Sequence, residues 1–76
     1  MKFKQYDAVR LKGILAPIAQ LNDEFNLRSP KTGDVAYIIE IYENPLGYEL
    51  EYSDADGITQ WLMAFQPHEV ELEFVS

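Results

Sequence analysis

The stretch Val35-Ala36-Tyr37-Ile38-Ile39-Glu40-Ile41-Tyr42-Glu43, followed by Asn44-Pro45-Leu46-Gly47 and then Tyr48-Glu49-Leu50-Glu51-Tyr52-Ser53, decides the fold. Its first nine residues are mostly β-branched or aromatic, and side chains on a strand alternate between two faces. Val35, Tyr37, Ile39 and Ile41 are then expected to face the core. Ala36, Ile38, Glu40 and Tyr42 share the other face, polar at Glu40 alone and expected to be half covered. Asn44 to Gly47 supplies turn residues. Tyr48, Leu50 and Tyr52 point inward, and Glu49, Glu51 and Ser53 outward. Two such strands across a short turn make an antiparallel hairpin.

The same reading extends in both directions. Residues 5–11 alternate, with Val9 and Leu11 on one face and Ala8 and Arg10 on the other, which predicts a first strand. Residues 12–31 are less regular. Leu15, Ile18, Ala19 and Leu21 have helical spacing around Pro17, and Asn22, Asn26 and Ser29-Pro30 mark loop, so a long excursion with about one turn of helix is expected. Downstream, Asp54-Ala55-Asp56-Gly57 fits a type I turn whose glycine forms a bulge. Residues 58–65 form a fourth strand, apolar on both faces. Gln66-Pro67-His68-Glu69 suits a short helical turn. Residues 70–74 close the chain, with Val70, Leu72 and Phe74 inward and Glu69, Glu71 and Glu73 outward. The whole predicts one all-β domain over residues 1–76. It is a small five-stranded SH3-like barrel with a long loop after the first strand and a helical turn before the last. Closing the sheet removes exposed strand edges.

Composition narrows the functional classes. The chain has 76 residues, 47% of them hydrophobic and 25% charged, the balance of a globular domain. A chain this short has a thin core and little room for a deep cleft. With no cysteine, thiol catalysis, disulfides and thiolate metal sites are excluded. No apolar run reaches the length of a membrane span and no signal peptide is apparent, so a cytoplasmic protein is expected. The net charge is −7 and is unevenly spread. Lys2, Lys4, Arg10, Lys12, Arg28 and Lys31 lie in the first 31 residues against Asp7, Asp23 and Glu24, which gives +3. The rest carries ten acids and no base, which gives −10. Nucleic acid and anionic membrane both need a clustered positive footprint, so neither is expected as a partner. A basic protein is the natural complement.

The sequence resembles a family of small bacterial proteins catalogued as domain of unknown function 4926. The resemblance rests on Tyr6-Asp7-Ala8-Val9-Arg10-Leu11, Thr32-Gly33-Asp34-Val35, Ile38-Ile39-Glu40-Ile41-Tyr42, Tyr48-Glu49-Leu50-Glu51-Tyr52, Asp54-Ala55-Asp56-Gly57 and Glu69-Val70. It covers nearly the whole chain and is poorest over residues 12–31. The chain departs from the pattern at Ala36-Tyr37, and at Trp61, Met63 and Phe65 where aliphatic residues are more usual. The resemblance implies an SH3-like barrel and brings no catalytic residues. By analogy it suggests an antitoxin or immunity protein.

The motifs that could carry chemistry mostly reduce to structure. Asp54-Ala55-Asp56-Gly57 is similar to part of a calcium loop, but the position of the closing glutamate is Met63. His68 is the only histidine, which with no cysteine leaves no ordinary zinc site, and with serines only at 29, 53 and 76 no Ser–His–Asp triad is expected. No catalytic residue, metal site or cofactor is therefore expected. Glu49 with Glu51, and Glu69 with Glu71 and Glu73, read as solvated carboxylate faces. Such ladders also suit electrostatic mimicry of phosphates. Ten aromatic residues exceed what a thin core needs, and Tyr42 and Trp61 are the best candidates for surface anchors. The expected function is a non-catalytic acidic protein-binding module, with Tyr42, Trp61, Glu49, Glu51, Glu69, Glu71 and Glu73 facing a basic partner. A second copy is another candidate partner. The alternative is a small accessory subunit of a larger enzyme or electron-transfer complex.

Overall fold

The computed structural model describes residues 3–15 and 27–76. The turn of helix expected near Pro17 lies outside the described residues. Five strands form: β1 (Ala8–Ile14), β2 (Val35–Tyr42), β3 (Gly47–Ser53), β4 (Thr59–Phe65) and β5 (Val70–Phe74). They make one antiparallel sheet in the order β4-β3-β2-β1-β5. The first four strands follow one another across the sheet, and the last returns to pair with the first. Only residues 66–69 link β4 at one edge to β5 at the other. Four strand spacings of about 4.8 Å separate the edges of a flat sheet by roughly 19 Å, more than so short a link can cross comfortably. The sheet therefore curls until its edges approach, as the small barrel requires.

The link itself is a hydrogen-bonded turn and not the expected helical turn. The Glu69 N–H donates to the Gln66 carbonyl at 2.9 Å, and the Gln66 N–H donates to Glu69 Oε1 at 2.8 Å. The turn is not continued because Val70 enters β5 and pairs with Ile14. The Asp54–Gly57 turn matches expectation. Gly57 has φ +80 and its N–H reaches the Asp54 carbonyl at 3.0 Å, while the pairing slips between Tyr52 and Ser53. Asp54 Oδ1 accepts from the N–H groups of Asp56 and Ile58, so the motif is an Asx-type turn.

The core is Val9, Leu11, Ala36, Ile38, Tyr48, Leu50, Trp61, Phe65 and Val70. Facing assignments on β2 and β5 differ from expectation. On β2 the inward residues are Ala36 and Ile38, while Tyr37 is 56% exposed. The reason is a bulge. Ile38 pairs with Leu50 but Glu40 pairs with Glu49, so Ile39 is the extra residue and the alternation reverses beyond it. Ile41 packs on the core only because of that reversal. On β5, Val70 is buried and Leu72 packs on the core as expected, but Phe74 at the strand end is 50% exposed.

Candidate functional site

Asp34 ends the turn that enters β2 and is buried. Its carboxylate is fully engaged. The Arg28 guanidinium donates to both oxygens, Nη2 to Oδ1 at 2.8 Å and Nη1 to Oδ2 at 3.0 Å. The Lys31 N–H donates to Oδ2 at 3.0 Å and the Trp61 indole Nε1–H at 2.9 Å. The Arg28 guanidinium also lies 4.7 Å over the Tyr52 ring, which stacks on Trp61. Burial by itself pushes the Asp34 carboxyl up. The bonds from Arg28, Trp61 and Lys31 outweigh it and hold the group below the ordinary aspartate value. The hydrogen bond to Asp34 raises Arg28 above its ordinary value in turn. Four donors from three parts of the chain meet this buried carboxylate, so the cluster binds the protein together.

The exterior of β2 and β3 is the opposite case. Tyr42 is 43% exposed at the end of β2, and its hydroxyl donates to Glu49 Oε1. That bond, together with the nearby carboxylates, holds the phenol above its usual value. Tyr42 pairs across the hairpin with Gly47. A Cβ at Gly47 would meet the Tyr42 ring at 3.8 Å and the Phe65 carbonyl at 3.4 Å. Both are ordinary van der Waals distances; what brings the ring to Glu49 is the register, which makes Glu49 the diagonal neighbour of Tyr42 on the same face. Glu40 faces Glu49 directly in the register, and Glu51 follows two residues along β3. Glu51 Oε2 accepts from the Thr59 hydroxyl at 2.6 Å. Among the described residues no lysine or arginine pairs with Glu40, Glu49 or Glu51.

Beside this face an open groove of about 480 Å³ runs between the hairpin turn and the end of β4, walled by Tyr42, Pro45, Leu46, Phe65 and Glu69. A smaller one of about 270 Å³ lies across the turn, walled by Phe3, Ile41 and Tyr48. Glu43 and Leu46 line both.

The remaining predicted residues separate. Trp61 is not a surface anchor: it is 0% exposed and packs edge-on against Phe65. The alternation beside Leu62 was ambiguous because β4 is apolar on both faces, and only the bond to Asp34, 27 positions away, fixes the indole inside. A single tryptophan together with a turn aspartate is the signal that could have found it. Glu71 and Glu73 lie on β5, which β1 and β2 separate from β3, so they do not join Glu49 and Glu51. Glu73 is paired with Arg10 at 2.7 Å, and Glu69 closes its own turn. His68 is exposed in that turn. No group of three metal-ligating side chains occurs among the described residues, and no helix there is long and apolar enough to cross a membrane. Comparison of the chain with protein-family models, with curated proteins and with solved structures finds no match, so what the protein does is read from its own geometry.

Proposed function

We propose that the chain is a non-catalytic protein-binding module that meets a basic partner protein through the exterior of β2 and β3. The observation that supports this reading is the exposed Tyr42 ring beside Glu40 and Glu49, with Glu51 further along β3 and no base of the described residues neutralising them. An exposed aromatic ring supplies contact area with few rotamers to freeze, and uncompensated carboxylates steer a positive partner. Trp61 leaves the contact surface of this proposal, and the carboxylates of β5 form at most a separate patch. In its narrower form the protein is an antitoxin or immunity-type protein of the cytoplasm that covers a basic site on its partner. The test is capture of basic and acidic test proteins on the immobilised chain at low and high salt. Binding of the basic set, lost at high salt and weakened by Tyr42→Ala, is the expected result. Equal capture of both sets would sink the reading. Salt-insensitive retention in one large assembly would replace it with that of an accessory subunit.

A further inference from the structure

The paired grooves astride the β2–β3 turn have a chemistry of their own. Each has apolar walls, Pro45 and Phe65 on one side and Phe3, Ile41 and Tyr48 on the other. Leu46 forms the ridge between them and Glu43 stands at the junction. Glu43 is exposed and engages no partner among the described residues. Among the described residues no lysine or arginine lines either groove, and Arg10 and Arg28 are held at Glu73 and Asp34. From this juxtaposition we infer that the two grooves take an extended segment of the partner protein in which one Lys or Arg stands between apolar residues. The cation meets Glu43, and the flanking apolar side chains fill the two grooves.

Three points support this occupant. Groove volumes of this size take side chains rather than a folded surface. Glu43 at the junction of the two grooves, with Glu69 in the wall of the larger one, rewards a cation and penalises an anion. A second copy of a chain with net charge −7 would bring repulsion instead. The inference rests on the binding-module reading, and its test separates the two.

The test titrates the ¹⁵N-labelled full chain with blocked synthetic peptides carrying one Lys or Arg between Leu or Pro residues. Matched peptides carry norleucine or Glu in its place. The Lys and Arg peptides should shift the amides of Glu43, Leu46 and Phe65 saturably. The norleucine peptide should bind about fivefold more weakly, the size of an exposed ion pair. Glu43→Gln should erase that difference, and Leu46→Ser should weaken both peptides about tenfold through lost apolar contact. Both residues are exposed, so the melting curve should not move. If Leu46→Ser does unfold the chain, Glu43→Gln still carries the test. Equal binding of the norleucine peptide overturns the inference. Shifts confined to Glu40, Glu49 and Glu51 overturn it too, and leave the binding module standing. If no peptide binds, polylysine at low salt separates the cases: binding removes the groove alone, and its absence removes both readings.

Discussion

Asp34 and Glu49 each accept a hydrogen bond from an aromatic side chain, one from the Trp61 indole and the other from the Tyr42 hydroxyl. They do different work. Asp34 is buried, and an ionised carboxylate there is tolerable only because Arg28, Lys31 and Trp61 all donate to it. Glu49 sits at the exterior, where water can replace any lost partner. The inner bond is therefore indispensable to the fold, and the outer one is disposable to it. Disposability is what leaves Tyr42 and its neighbouring carboxylates available to another protein.

The largest effect should come from the inner region. Trp61→Ala removes the largest fully buried side chain and leaves Asp34 short of a donor. A loss of about 4 kcal/mol is expected, most of what a domain this small has, read as the urea midpoint. Asp34→Ala follows at about 3 kcal/mol, because it strands the buried indole N–H and unpairs Arg28. A loss under about 1 kcal/mol would mean that water replaces Asp34 there and that the contrast with Glu49 is false.

Acid sharpens the same contrast. The Asp34 carboxyl lies below its ordinary value in the folded chain, so its contribution is fully present at neutral pH. It should fade as pH falls below about 4, the unfolded value, and through the lower folded one. Tryptophan fluorescence against pH should show that slope in the wild type and a reduced slope in Asp34→Asn.

The outer region should respond weakly and with opposite sign. Glu40 and Glu49 are like charges directly opposite in the register. Glu40→Lys should raise the melting midpoint by about 2–4 °C at low salt. Added salt should raise the wild-type midpoint and narrow that gap. The smallest effect is expected for Tyr42→Phe, which deletes the outer bond alone. Its midpoint should move by less than about 2 °C, the range of an ordinary surface change. A large fall would put Tyr42 among the supports of the fold.

Much of this was legible along the chain. All five strands fall where alternation placed them, within a few residues at the ends. The turn at Gly57 was readable from Asp-Ala-Asp-Gly, because a positive φ has few other sources. Val9, Leu11, Tyr48 and Leu50 face inward as the pattern required. The site was less legible. Tyr42 and Glu49 meet because the register makes them diagonal neighbours across the hairpin, which follows from pairing and not from period. Glu43 and Leu46 look like ordinary turn residues until the chain folds around them.

By itself the sequence determined the strand count, the Asp54–Gly57 turn, the absence of thiol chemistry and the acidic exterior. These depend on neighbours a few residues apart, where backbone preference and two-residue periodicity act directly. Only the tertiary structure decided which face of β2 is core, that Trp61 lies inside, and that the carboxylates of β3 and β5 are not one surface. Those outcomes turn on a single bulged residue, on a bond spanning 27 positions and on the order of strands in the sheet. One inserted residue reverses every side chain beyond it, and strand order is set by long-range pairing that local pattern does not contain.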